Sequence, residues 1–131
     1  MASFMQPYAE HTYAAMRIVT GFTFLWHGTQ KLLDFPVGMP DGVPPFIIYV
    51  AGPIELFGGV LIMIGLFTSW AAFLSSGLMA GAYWIGHGTK ALLPIQNGGE
   101  LAAIYCFVFL FIAARGSGIW SVDASRSGGG R

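Results

Sequence analysis

The apolar residues of this chain come in long blocks, and blocks of that length decide which solvent the fold must live in. Residues 46–66 run for roughly 20 positions with a single charge, the length an α-helix needs to cross the hydrocarbon core of a bilayer. Surface helices of soluble proteins carry apolar stripes instead, with a polar opposite face. Four such blocks fit in the chain. Charged residues are 9% of the sequence and apolar ones 55%, whereas a soluble domain usually carries about 25% charged residues. The expected fold is all-α: one domain, a transmembrane four-helix bundle in which sequential helices are antiparallel neighbours.

The spacing predicts helices over about residues 12–33, 46–66, 70–86 and 100–114. The first should end at Asp34-Phe35-Pro36, because the residue before a proline is pushed out of helical geometry. Pro53 lies within the second and cannot bond the carbonyl of Tyr49, so a kinked second helix or a polar local contact is expected there. The three residues Phe67-Thr68-Ser69 form a turn too short for anything but antiparallel neighbours. The tail, residues 115–131, ends in a Ser/Gly/Arg-rich stretch from Ser125 that reads as disordered.

Four crossings put both termini on one side. Arg115, Arg126 and Arg131 lie there, with Arg17 near the same face, while Lys31 and Lys90 lie opposite. The positive-inside rule then places both termini in the cytoplasm of a multi-pass protein of the inner (plasma) membrane. The first block carries Arg17, His27 and Lys31 and has no basic stretch before it, which argues against a cleaved signal peptide. Six basic residues balance six acidic ones, and no basic stripe suggests nucleic acid as a partner. Cys106, the single cysteine, has no partner for an internal disulfide and suits a small core position.

Helix packing can be read from small residues. Gly77 and Gly81 form a GxxxG on the third helix, which would allow a close backbone approach. Gly52, Glu55 and Gly59 share a face of the second helix. Arg17, Gly21, Phe24, Gly28 and Lys31 share a face of the first.

Chemistry would have to use the few ionisable groups within the apolar blocks. Burying a charge at the bilayer centre costs about 2.5–3.5 kcal/mol on insertion scales, so such residues face inward and find partners. Glu55 sits near the middle of its helix. His27 lies at a depth that differs from it by only about 5 Å, so a Glu55–His27 hydrogen bond is expected, with Lys31 one turn above. His87 closes the third helix and Glu100 opens the fourth at the same outer end. Glu100 also has a structural reason to be there, as a carboxylate at a helix N-terminus. His27, Lys31, Glu55, His87 and Glu100, with Trp26, Tyr83 and Trp84 nearby, could thus form a polar pocket able to hold a quinone head group. The same residues equally suit a satisfied polar network that fixes helix register. His27 and His87 could in principle ligate haem between helices, a weaker reading than the pocket without metal. No Cys/His spacing suggests zinc or an iron–sulfur cluster. On the inner side, Arg17 is expected to pair with Asp123 as a structural clamp on the tail.

Several segments, in order, resemble the DoxX family of small four-helix membrane proteins. They are Arg17-Ile-Val-Thr-Gly21, His27-Gly-Thr-Gln-Lys31-Leu, Glu55-Leu-Phe-Gly58-Gly59, Gly65-Leu-Phe-Thr68, Asn97-Gly-Gly-Glu100 and Gly116-Ser-Gly118-Ile-Trp-Ser121-Val-Asp123. Each is weak alone, and together they reach from about Tyr13 to Asp123. One departure is Ser69, where the family often has an arginine. The resemblance implies association with membrane redox complexes, among them thiosulfate:quinone oxidoreductase, and with other membrane or membrane-associated subunits as partners. It does not define a reaction. The expected role is an accessory or quinone-interacting subunit; the alternatives are a purely structural or assembly subunit and a stress-protection protein without catalytic activity.

Overall fold

A computed structural model describes residues 3–128, and among these every regular element is helical. A 3₁₀ turn, Gln6–Tyr8, leads into α1, Ala9–Leu33. Helix α1 stops where Asp34 takes a left-handed conformation at φ 52°, just ahead of Phe35-Pro36. A long connection leads to a π-helical turn, Ile47–Ala51, which runs directly into α2, Gly52–Ile64. The wide turn lies immediately before Pro53, whose missing N–H interrupts the ordinary α ladder.

Gly65, at φ 73°, ends α2. Helix α3, Thr68–Tyr83, follows at once and is continued by a second π-helical turn, Trp84–Gly88. A short helix unforeseen in the sequence, α4 (Pro94–Asn97), precedes α5, Glu100–Arg115. The tail is not disordered as far as it is described: α6, Val122–Arg126, takes in Ser125 and Arg126. The Ser121 hydroxyl caps it by accepting from the Ala124 amide at 3.1 Å. Residues 129–131, the rest of the stretch expected to be disordered, lie outside the described residues, and so does Arg131 with its part in the charge asymmetry.

Helix α1 packs along α2, α3 along α5, and α2 also meets α3. The α1–α2 contact is backbone against backbone. A Cβ on Gly21 would lie 2.5 Å from the Met63 nitrogen, and one on Gly59 would lie 2.7 Å from the Leu25 nitrogen. Glycines on both helices therefore remove the side chains that would hold the axes apart. Gly77 and Gly81 do not act this way, since a Cβ at either would meet nothing within 4 Å. Their GxxxG faces outward, because α3 meets its neighbours through Ala72, Ser75, Ser76 and Met79, which are buried. The core is aromatic. Phe24 of α1 lies edge-on to Phe109 of α5 at 4.6 Å and tilted against Tyr105 at 5.2 Å.

The Ile47–Ile64 segment, 18 residues with a mean hydropathy of 2.1, is long and apolar enough by itself to cross a membrane. Helices α3 and α5 have 16 residues each without their flanking turns, and α1 carries Glu10, Arg17 and Lys31.

The end expected to be inner holds the tail against the helices. Arg17 is completely buried. Its guanidinium donates to the carbonyls of Ile62, Ser117, Ile119 and Trp120. The expected Arg17–Asp123 ion pair does not form. Asp123 instead accepts from the amides of Phe67 and Thr68, at 3.0 and 3.1 Å, and from the Thr68 hydroxyl at 3.1 Å. Each charge serves a different helix end. Arg17 satisfies a last-turn carbonyl of α2, and Asp123 satisfies the first amides of α3, which has no side-chain cap of its own.

Candidate functional site

Near the end expected to be outer, α1, α2, α3 with its π-helical turn, and α5 line a cavity of about 280 Å³. Its polar lining is His27 from α1, Glu55 from α2, His87 from the turn after α3, and Tyr105 from α5. Phe24, Met79, Gly98, Leu101 and Ala102 complete the wall. The helical repeat sets Phe24 and His27 one turn apart on the inward face of α1, with Lys31 one turn further. Glu55 comes in beside Gly58 and Gly59, on the face of α2 that packs most closely.

Glu55 is 4% exposed. Its partner is Lys31 and not His27: the ammonium lies 2.8 Å from Oε2 and 3.1 Å from Oε1. A flexible side chain with a full charge reaches down one helical turn and compensates the carboxylate better than a neutral imidazole would. The bond of good hydrogen-bonding geometry goes to Oε1, and Oε2 is left with charge contact only. His27 lies edge-on to Tyr105, with ring centroids 6.1 Å apart.

His87 is held by Asn97, whose carbonyl lies 3.0 Å from Nδ1. Asn97 is buried, and its side chain knits the α3–α5 connection. It donates to the Tyr83 hydroxyl and the Ala91 carbonyl, and accepts from the Gly99 amide at 2.8 Å. Gly98 takes the left-handed conformation this tight turn requires, φ 76°. The Tyr105 hydroxyl donates to Thr23 Oγ1 at 2.8 Å, tying α5 to α1.

Of the five residues expected to converge, His27, Glu55 and His87 line the cavity, and Lys31 joins through its bond to Glu55. Glu100 does not: it is exposed, and its successors Leu101 and Ala102 form the wall in its place. Its carboxylate has the structural role of an acidic residue in the first turn of α5. Trp26, Tyr83 and Trp84 are also outside the lining, and Tyr83 serves only to hold Asn97. Tyr105 and Asn97 went unrecognised as site residues in the sequence. Tyr105 follows Leu101 and Ala102 by four and three positions, the spacing that puts it on their face. Asn97 lay inside a quoted motif, but a side chain that folds a loop has no periodicity to give it away.

Ligand pockets usually measure about 300–1,000 Å³. This cavity lies just below that range, and His27 and His87 share it. Among the described residues no group of three or more His, Cys, Asp or Glu side chains is placed to hold a metal ion.

Residues 13–88 match the model of the DoxX family. An uncharacterized protein of Haemophilus influenzae is 40% identical over 91% of this chain and 93% of its own length. A Bacillus subtilis protein described as "Putative oxidoreductase CatD" is 29% identical over 82% of this chain and 81% of its own. No solved structure matches the chain. The chain belongs to the DoxX family.

Proposed function

We propose that this DoxX protein is a multi-pass membrane subunit of a redox complex and that its outer cavity receives the ring of a quinone-class molecule. The carrying observation is the convergence of His27, Glu55, His87 and Tyr105, from four separate segments, on one ring-sized space. Phe24 and Tyr105 supply aromatic walls, and the imidazoles, carboxylate and phenol supply hydrogen-bonding groups for the ring oxygens. The bound group would carry the electrons, and this chain would orient it and shield it from water. The relative described as an oxidoreductase supports the same reading.

Four membrane crossings belong to this proposal. Helix α1, at 25 residues, is about 37 Å long. Helix α3 with its π-helical turn reaches about 31 Å, close to the thickness of a bilayer core. Large apolar side chains stand exposed on every long helix, among them Phe22, Phe57, Phe73 and Phe107. A water-facing surface of that kind would aggregate, and lipid is the solvent that suits it. The competing role, a purely structural subunit, would use the Lys31–Glu55 pair only to set helix register.

The test is purification in mild detergent, with co-purifying proteins identified and anaerobic binding of a short-chain ubiquinol analogue measured by quenching of tryptophan fluorescence. Glu55→Ala should weaken binding about tenfold or more, with co-purification of partners retained. Unchanged binding in a folded Glu55→Ala protein would sink the pocket and leave the structural role.

A further inference from the structure

The hydrogen-bonding groups around the cavity can be assigned proton by proton, and the assignment separates two forms of ligand. The Asn97 carbonyl can only accept, so the ring nitrogen of His87 facing it at 3.0 Å, Nδ1, carries the proton. Neutral His87 therefore has Nε2 as a bare acceptor. The Thr23 hydroxyl gives its own proton to the Thr20 carbonyl at 3.1 Å. Hence Thr23 Oγ1 must accept from Tyr105, and the Tyr105 oxygen keeps only lone pairs for a ligand. Glu55 is held by Lys31 at both carboxylate oxygens, at 2.8 and 3.1 Å, and so adds no donor to the lining. Of the four polar side chains in the lining, His87 and Tyr105 are acceptors, Glu55 adds no donor, and only neutral His27 can act either way.

We infer, resting on the ring-binding reading above, that the cavity selects the dihydroxy form of its ring ligand over the dicarbonyl form. A quinone carbonyl only accepts. Set against these atoms it would face lone pair with lone pair and leave buried acceptors unpaired, which costs more than a hydrogen bond gains. A hydroxyl donates to them. Asn97 is a positioning residue in this arrangement: it touches no ligand, but its backbone carbonyl sets the tautomer of His87.

The experiment is anaerobic binding to the purified full-length protein, using a methoxy-substituted benzohydroquinone and its quinone, each with and without a decyl tail. The hydroquinone should bind about tenfold tighter than the matching quinone, one or two hydrogen bonds in effect. Tighter binding of the tailed hydroquinone identifies a membrane quinol as the source, and equal binding identifies a free diphenol; either result supports the selection. Tyr105→Phe, which removes an acceptor from the lining, should shrink the preference toward unity. Should that variant not fold, ¹⁵N spectra of histidine-labelled wild-type protein report the tautomer directly, with His87 protonated on Nδ1. Equal or tighter binding of the quinone, or His87 protonated on Nε2, overturns the selection and leaves the pocket standing. Binding of neither form overturns both.

Discussion

At the scale of single residues, the inner clamp shows how two charges can hold one segment of chain without touching each other. Asp123 works as a helix cap supplied from a distant part of the chain. Burial pushes its carboxyl up, but hydrogen bonds from the amides of Thr68 and Phe67 and from the Thr68 hydroxyl outweigh this and hold it below its ordinary range. A lowered folded value means stabilisation that is complete above the ordinary carboxylate pKa, about 3.9, and is lost as pH falls through the folded value. Asp123→Asn should therefore cost about 0.3–1 kcal/mol at neutral pH, the usual worth of a negative charge at a helix N-terminus. The gap between variant and wild type should close on acidification below about pH 4. Thermal unfolding in detergent across that range checks it. A gap that stays constant down to pH 2 would mean that the carboxylate charge is not what caps α3.

At the scale of elements, the glycines of this protein divide into two kinds that look alike in sequence. Gly59 lies where α1 and α2 approach backbone to backbone, and a Cβ there would meet Leu25 at 2.7 Å. Neither side of that contact is a flexible side-chain end, so the helices must separate. Gly59→Ala should destabilise by about 1–3 kcal/mol, the usual penalty of overpacking. Gly77, on the open face of α3, has space for the same methyl. Gly77→Ala should stay within about 0.5 kcal/mol of wild type, as surface changes do. Parallel denaturation of the two variants in detergent decides the point, and comparable losses would refute the outward placement of the GxxxG.

At the scale of the whole molecule, the two ends have different tasks. The inner end is a lock: Arg17, the Gly65–Thr68 turn and the segment from Gly116 to Asp123 bind one another through carbonyls and amides. The outer end holds the cavity and its titratable lining. If the helices cross the membrane as proposed, Asp41 and Ser127 lie on opposite sides of it. In a Cys106→Ala background, Asp41→Cys should react with an impermeant maleimide on intact cells. Ser127→Cys should react only after the membrane is opened. The reverse pattern would invert the orientation, and labelling of both from outside would refute the crossings.

The helical class, the order of the long helices and the end of α1 at Asp34 were legible in the chain, because block length, proline and glycine act locally. Family membership was legible too, since short motifs in a set order survive without knowledge of contacts. The choice of partners was not. Lys31 over His27 for Glu55, carbonyls over Asp123 for Arg17, Leu101 and Ala102 over Glu100 at the cavity wall: each depends on how far a side chain reaches across a gap between helices. Helical periodicity supplies a residue's face and its approximate depth, but the competition between neighbouring donors and acceptors is settled only when the backbones have packed.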